Sequence, residues 1–437
     1  MIVCISLAIG LIWPPPRTVV ASGPPLHLAH AVNIEFAHAP DRILTPRLLR
    51  IVDRFSELLS NLTAKGNVNS PILSQVIVEV PMFHDERLTE HTCYNYTLNI
   101  STSVARVASC SVFGVAYGLE GLVQLAGTGG RLPHDTVLIE DAPAHSWRGL
   151  MIDSGRRFFP VALVENLIDT MAAVKLNVLH LHASDHCRWG VESRLYPELT
   201  KSLTGIRAGH YTQDDIRRLV EYAHDRGIRV VPEFDVPGHA RGMLPLEETG
   251  DVQFCTDAPT RSQLFDDPTR RTYTTVAALV REMAQLFPDE VFHIGCDETR
   301  TAGSCALNTT FTFERRLAEY VASDLGKTAE GWEEILFSAA AATNRTVVNA
   351  WSRHRPPEIT ATGRKAVESF SAHFYFTRPA AGGPEGWAPC WYDISTGIPS
   401  SELPLLLGGE MSMCAFAQKT ACPKDPMPTS DGKPLEM

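Results

Sequence analysis

The spacing of hydrophobic residues changes about a third of the way along this 437-residue chain. Upstream, residues 46–62 carry one apolar stripe at helical spacing, and residues 112–125 are predicted to form a second helix. Residues 76–80 and 96–100 alternate or run apolar, as strands do. This pattern predicts a small α+β domain over residues 23–143.

Downstream, short apolar runs alternate with amphipathic helices. One helix is predicted to begin after Pro160, and another is capped by Thr212 and ends at Gly227. Eight strands are predicted, at residues 149–153, 176–182, 228–234, 291–295, 329–332, 347–351, 366–370 and 405–409. Strands interleaved with helices over residues 144–422 predict an α/β fold, the (β/α)8 TIM barrel, which takes about 250 residues. A doubly wound open sheet competes, but no Gly-rich phosphate loop follows any of the strands.

The segment after the eighth strand departs from this rhythm. Residues 423–437 form a short polar, Pro-rich tail, and no amphipathic helix is visible before it. The sequence therefore predicts that the final barrel helix is missing. Either the chain is truncated or mis-assembled, or another subunit completes a divergent barrel.

Composition excludes some classes of partner. A formal net charge of -11 without any Lys/Arg-rich run argues against nucleic acid and anionic membranes. The apolar run at residues 2–13 is shorter than the roughly 20 residues that span a bilayer and is typical of a signal peptide. With a cleavage site near Val20-Ala21-Ser22, residues 1–22 are predicted to be a signal segment. An irregular or mis-assigned start is the alternative.

Glycosylation sequons and cysteines favour the secretory pathway. Asn-x-Ser/Thr sequons begin at Asn61, Asn95, Asn99, Asn308 and Asn344. They predict a glycoprotein in a lysosome-like compartment or outside the cell. The ten cysteines form no CxxC pair, and no metal site is predicted. Cys93 with Cys110 and Cys255 with Cys305 are the predicted disulfides, although sequence alone leaves the connectivity open.

Polar residues gather where the predicted barrel strands end. They occur at residues 153–156, 182–186, 233–239 and 297–298, and the later strands are followed by Trp332, Trp351, Phe374-Tyr375 and Glu410. In a TIM barrel the chemistry lies at the carboxyl ends of the strands. Surface charge alone does not predict such clustering.

The adjacent acids Asp297 and Glu298 follow an apolar strand that ends at Gly295. Neighbouring strand side chains point to opposite faces, so both acids enter one site only if the backbone turns at Gly295. Taken alone, such a pair is more often solvated surface, but its place at a strand end reverses this. Aromatic rings and carboxylates together suit a carbohydrate. Glycosidases normally separate two carboxyl groups by about 5 to 9.5 Å. Adjacent acids suit instead a reaction in which the substrate's own 2-acetamido oxygen attacks the anomeric carbon.

At these motifs the sequence resembles the family 20 glycoside hydrolases, the β-N-acetylhexosaminidases. The resemblance covers residues 147–413 and extends more weakly to residues 117–122. Seven motifs occur in family order, at residues 148–153, 175–180, 233–239, 293–298, 331–334, 371–375 and 408–410. The resemblance implies an exo-acting enzyme that removes terminal N-acetyl-hexosamines from glycans, by a retaining, substrate-assisted mechanism through an oxazolinium intermediate.

The resemblance also implies catalytic roles. Glu298 would be the general acid/base, with its pKa raised by the neighbouring anion Asp297. Asp297 would orient the acetamido group and stabilise the oxazolinium, and Tyr375 would donate its hydroxyl to the acetamido carbonyl. Asp185 and His239 would form a relay that holds Glu298, although a lone histidine can also be purely structural.

Substrate-binding residues follow from the same resemblance. Arg156 would clamp sugar hydroxyls, unless Arg157 beside it is the true counterpart. The walls of the acetamido pocket would be Trp332, Trp351 and Phe374, and the binding residues also include Asp393 and Glu410. The resemblance implies no cofactor and no metal, a glycan as substrate, and a homodimer as the assembly to test for.

Four positions depart from the family pattern. Cys414 and Phe416 stand where the family carries an aromatic residue and an acid, Thr377 where it often has Asn or Asp, and His186 where it has a second acid. A catalytically impaired or non-catalytic sugar-binding homologue is therefore the alternative function. A third hypothesis is another barrel hydrolase with two separated carboxylates, in which mutation of Asp297 would be nearly silent.

Overall fold

A computed structural model describes most of the chain. The described residues are 12–37, 44–62, 72–81, 86–201, 203, 208–256, 262–299, 303–338, 346–375 and 394–413. The chain divides into two compact units. The first comprises residues 1–146, 166–177 and 221–229, and the second comprises residues 147–165, 178–220 and 230–437.

The first unit contains a seven-stranded mixed sheet. Its strands are β1 (Thr18–Ser22), β2 (Leu26–Phe36), β3 (Ile72–Glu79), β4 (Tyr96–Ser101), β5 (Val104–Ser109), β6 (Arg131–Leu132) and β7 (Thr136–Asp141). Their order in the sheet is β1-β7-β4-β5-β3-β2-β6. The predicted cleavage site falls in β1, which pairs antiparallel with β7, whereas residues 1–11 lie outside the described part.

Two helices contribute apolar residues to the core of this unit. They are α1 (Pro46–Leu62) and α2 (Val112–Ala126), close to the predicted helices. The apolar stripe of α1 is buried, including Leu48, Phe55 and Leu59, and it joins the sheet residues in one core. The Ser111 side chain caps α2 by accepting a hydrogen bond from the backbone N–H of Gly114 at 3.1 Å.

The second unit contains the predicted closed barrel. Its eight parallel strands are β8 (Trp147–Asp153), β9 (Val178–Ser184), β10 (Arg229–Val236), β11 (Val291–Gly295), β12 (Thr328–Trp332), β13 (Val347–Ala350), β14 (Lys365–Glu368) and β15 (Leu406–Met413). The barrel closes in the order β10-β11-β12-β13-β14-β15-β8-β9, which confirms the predicted fold. One buried apolar residue from each of seven strands forms a layer inside it, at Trp147, Val178, Val231, Val291, Val347, Val367 and Leu407.

The barrel helices are less regular than predicted. Long helices follow the first four strands: α3 (Val161–Ala173), α5 (Gln213–His224), α7 (Arg271–Ala284) and α8 (Leu307–Ser323). The shorter ones are α4 (Glu198–Lys201), α6 (Leu244–Glu248), α9 (Pro356–Thr360) and α10 (Ser371–Phe374). A 3-10 turn at Glu333–Leu336 follows β12. Within the described ranges, no helix combines the length and apolar character needed to cross a membrane. The predictions for residues 414–437 lie outside those ranges.

Both predicted disulfides are present. Cys93 is bonded to Cys110, and Cys255 is bonded to Cys305. The first lies within the sheet unit, and the second joins the loop after β10 to the loop after β11. The predicted connectivity is therefore confirmed for these four cysteines.

Candidate active site

The acids after β11 depend on a sharp backbone turn. Gly295, Cys296 and Glu298 all have positive φ angles, of 75°, 74° and 48°. A Cβ atom on Gly295 would lie 1.9 Å from Oδ1 of Asp235, so only glycine fits there. The turn places Asp297 and Glu298 on one side of the strand end, as the sequence analysis requires.

His239 contacts both of these acids. Its Nε2 lies 3.2 Å from Oε2 of Glu298 and 3.5 Å from Oδ2 of Asp297. Its Nδ1 lies 3.3 Å from Oδ1 of Asp185, which follows β9. The ring of His186 stacks on His239, with 4.4 Å between ring centroids. The structure thus brings the predicted Asp185, His239 and Glu298 into one line.

The electrostatics of Glu298 differ from the expectation. The hydrogen bond from His239 lowers the pKa of Glu298, against the effect of burial, instead of Asp297 raising it. Burial would lower the pKa of His239, but Asp185 and Asp297 raise it well above its usual value. A proton shared by these two groups therefore favours His239, and the Glu298 side chain is 57 % exposed.

Two neighbouring carboxyls have a raised pKa. Burial raises the pKa of Asp297, which is only 16 % exposed. Burial, reinforced by Asp297, raises the pKa of Asp235 well above its usual value. The raised pKa favours the neutral form of Asp235, which leaves one negative charge where two would repel.

Arg156 lies deeper in the site than a residue that only clamps sugar hydroxyls. Its guanidinium is 2.7 Å from Oδ2 of Asp153 and 2.6 Å from Oδ2 of Asp185. Its side chain is 14 % exposed, whereas Arg157 is exposed. Arg156 therefore holds the relay carboxylate and still reaches the surface of the site.

Three of the predicted aromatic residues come together. Trp332, Tyr375 and Met151 form a buried cluster, and Trp351 packs against it. The rings of Trp351 and Tyr375 are stacked with 6.5 Å between centroids, and Trp332 meets Trp351 edge to face. Met151, on β8, was not singled out from the sequence, because a methionine in an apolar strand gives no functional signal.

Other predicted binding residues lie elsewhere. Phe374 is outside the aromatic cluster and packs near Gly409, where an added Cβ would be 3.5 Å from its Cε1. Glu410 is fully buried, and its binding of substrate stays a prediction. Its carboxylate is occupied by Nδ1 of His180 at 2.8 Å and Nε1 of Trp147 at 3.2 Å. Asp393 lies outside the described residues.

Two glutamates that the sequence analysis gave no role organise the aromatic wall. Trp351 Nε1 donates to Oε2 of Glu334 at 3.1 Å. The buried carboxylate of Glu333 accepts the backbone N–H groups of residues 351–354 at 2.6 to 3.2 Å. Both lie in the 331–334 motif, but only their position after a barrel strand could have marked them.

Some histidine and carboxylate groups lie close enough together that they could bind a metal ion. Ligand atoms of His180, Glu233 and His293 are within 4.8 Å of one another, and so are those of Asp153, His182 and Asp185. In these groups His182 donates to carboxylate oxygens, and His180 and His293 each lie within 3.3 Å of one. Within these groups the histidines thus contact carboxylates of the protein itself.

A sugar-cleaving enzyme on a TIM barrel is the class that this arrangement defines. The family model for the catalytic domain of Glycosyl hydrolase family 20 matches residues 145–396, more than half of the chain. The chain therefore belongs to glycosyl hydrolase family 20. It is a glycoside hydrolase with β-hexosaminidase function.

Similar proteins agree with this assignment. Beta-hexosaminidase subunit A2 of Dictyostelium discoideum is 28% identical over 436 residues, which cover 92% of this chain and 77% of that protein. The human beta-hexosaminidase subunit beta is 26% identical over 445 residues, or 91% of this chain and 77% of that one. The structure of Flavobacterium johnsoniae chitobiase superposes with a TM-score of 0.72 at 26% identity. That match covers 92% of this chain and 65% of the chitobiase.

Proposed function

We propose that the protein is an exo-acting β-N-acetylhexosaminidase that works by a retaining, substrate-assisted mechanism. The observation that carries this proposal is that one ring nitrogen of His239 lies within 3.5 Å of both Asp297 and Glu298. Two carboxyls that flank a glycosidic bond would approach the sugar from different sides. Asp297 and Glu298 are instead adjacent and share one histidine, an arrangement that suits an attacking group supplied by the substrate.

In the first step the acetamido oxygen attacks the anomeric carbon. Asp297 accepts the acetamido N–H and, as an anion in a largely buried site, stabilises the positive charge of the oxazolinium. Tyr375 donates its hydroxyl to the acetamido carbonyl, between Trp332 and Trp351. Glu298, which receives its proton from His239, protonates the leaving oxygen. In the second step Glu298 removes a proton from water, which opens the oxazolinium with retained configuration.

The acetamido group provides the test. We expect the purified protein to release nitrophenol from the N-acetyl-β-glucosaminide, and kcat/KM to fall stepwise as the acetyl methyl is fluorinated. Each fluorine weakens the carbonyl oxygen as a nucleophile. The unfluorinated substrate is the reference for this series. A thiazoline mimic of the oxazoline should inhibit the enzyme competitively.

Other results would contradict the proposal. A rate that does not depend on fluorination would indicate a nucleophile from the protein. No turnover by a folded protein that still binds the thiazoline would instead support the non-catalytic sugar-binding homologue.

We further infer that the protein enters the secretory pathway. The sequon residues Asn95, Asn99 and Asn308 are exposed, and disulfides persist in oxidising compartments. Peptide N-glycosidase should lower the mass of protein isolated from its natural source, and an unchanged mass would contradict the inference. Whether the destination is a lysosome-like compartment or the extracellular space, and whether a homodimer forms, stay predictions.

A further inference from the structure

The relay behind Glu298 continues far into the barrel. Four carboxylates alternate with three histidines, in the order Glu410, His180, Glu233, His182, Asp185, His239 and Glu298. We call these seven residues the ionic chain. Every link runs between a ring nitrogen and a carboxylate oxygen. All members except Glu298 are buried.

The inner links are as short as the outer ones. His180 lies 2.8 Å from Glu410 through Nδ1 and 3.0 Å from Glu233 through Nε2. His182 donates through Nδ1 to Oε2 of Glu233, and its Nε2 lies 2.9 Å from Oδ2 of Asp185. The outer links, from His239 to Asp185 and Glu298, are 3.3 and 3.2 Å.

These contacts favour protonated histidines. A neutral imidazole has one N–H and one lone pair, and the lone pair would repel a carboxylate oxygen at these distances. Each ring of the ionic chain has a carboxylate oxygen within 3.3 Å of both nitrogens, an arrangement that favours two N–H groups and a positive charge on the ring. Burial would lower the pKa of His180, but Glu410 and Glu233 raise it to about 10.

The inner end of the chain is closed. Glu410 is fully buried and receives hydrogen bonds from Trp147 Nε1 and Asn349 Nδ2. Trp332, a wall of the proposed sugar pocket, donates to Oε1 of Glu233 at 2.7 Å. The other charged or titratable groups that face the chain are Arg156, Asp153, Asp235, Asp297, His186 and His293. The ionic chain therefore holds protons behind Glu298, and its inner end at Glu410 is buried away from solvent.

We propose that His182, Glu233, His180 and Glu410 are positioning residues for the general acid. They act through Asp185 and His239, and they keep on His239 the proton that Glu298 delivers. This inference rests on the proposed function. It differs from a structural role because it affects only the step in which the leaving group needs a proton.

Leaving-group dependence tests the proposal. For Glu233→Gln and His182→Gln we expect kcat/KM for phenyl N-acetyl-β-glucosaminide to fall about tenfold or more. This is part of the 10²- to 10⁴-fold that general acid catalysis contributes. For the 2,4-dinitrophenyl substrate, whose leaving group needs no proton, the loss should be below about threefold. The inhibition constant of the thiazoline should stay close to that of the unmodified protein.

His293→Gln is the matched control. His293 is equally buried and lies 3.3 Å from Oε1 of Glu233, but it is not a link of the chain. Burial lowers its pKa to about 3, so the variant removes no charge. Any loss in this variant should be equal for the two substrates. If Glu233→Gln and His182→Gln each lost the same factor of kcat/KM for the phenyl and the 2,4-dinitrophenyl substrates, the proposal would be overturned.

Two further measurements test the proposal if Glu233→Gln or His182→Gln does not fold. Glu410→Gln changes one atom at the far end, and it should show the same preference for the dinitrophenyl substrate at a smaller size. In the unmodified protein, ¹⁵N NMR of histidine-labelled material should show three doubly protonated rings at pH 8, assigned to His180, His182 and His239. Neutral rings there would overturn the inference even if the unmodified protein proved inactive. Inactivity alone would contradict only the proposed function.

Discussion

Replacing Asp297 with asparagine is expected to lower kcat about 10²- to 10³-fold, the size of loss seen when one group that stabilises transition-state charge is removed. Asparagine keeps the shape of the side chain but not its negative charge, and its amide offers N–H groups where the acetamido N–H needs an acceptor. Burial strengthens the effect, because Asp297 is only 16 % exposed. Nitrophenyl glycoside turnover measures the loss, and thermal unfolding checks the fold.

Asp235→Asn is the control for this substitution. Asp235 lies beside Asp297 and is 1 % exposed, and the raised pKa of its carboxyl favours the neutral form in the folded protein. Its replacement by a neutral amide should cost less than about tenfold in kcat, because no charge is lost. If Asp297→Asn retained nearly full activity, the acetamido mechanism would be wrong. The hypothesis of two separated carboxylates would then gain support.

The second large effect is expected for Glu298→Gln. Glutamine cannot deliver a proton, so kcat/KM for phenyl N-acetyl-β-glucosaminide should fall about 10²- to 10⁴-fold. The 2,4-dinitrophenyl substrate should lose much less, and thiazoline binding should persist because the aromatic wall is intact. His239 holds the proton in the free protein, so the alkaline fall in kcat/KM should follow loss of that shared proton. It should therefore lie well above the pKa of an ordinary carboxyl.

The comparison between the two substrates decides this case. Equal losses would mean that Glu298 positions the sugar and does not protonate the leaving group. A loss confined to the phenyl substrate would assign the acid role to Glu298, whatever the absolute rates.

Strand positions were largely predictable from the sequence, and strand lengths were not. The eight barrel strands are buried on both sides, so each appears as an apolar run. The runs end early where buried polar residues continue a strand. Asp235 extends β10 to Val236, and Glu410 and Ser412 extend β15 to Met413. Such residues look like loop residues until their partners are known.

The site was predictable where its residues follow strands in recognisable motifs. The family resemblance identified Asp185 and His239, and the position after β11 identified Asp297 and Glu298; the fold brings these residues together. It could not identify the partners of Glu410 and Glu233. His180 lies 230 residues from Glu410, and His182 lies 51 residues from Glu233. The pKa of Glu298 was mispredicted although His239 was expected beside it, because the expectation counted the neighbouring anion Asp297 and not the hydrogen bond from His239 that lowers this pKa.

The ionic chain also makes the stability of the fold depend on pH. Burial would lower the pKa of His182, but Glu233 and Asp185 raise it well above its usual value, and the pKa of His180 is raised to about 10. Histidine charges therefore stabilise the fold fully below about pH 6.5, and this contribution is lost as pH rises through the raised values. Burial would raise the pKa of Asp185 and Glu233, but Arg156 and His182 hold these carboxyls well below their usual range. Their contribution is complete above about pH 4.3 and is lost only as pH falls through the lowered values. Both contributions are complete together between about pH 4.3 and 6.5, so the barrel interior is best suited to mildly acidic surroundings.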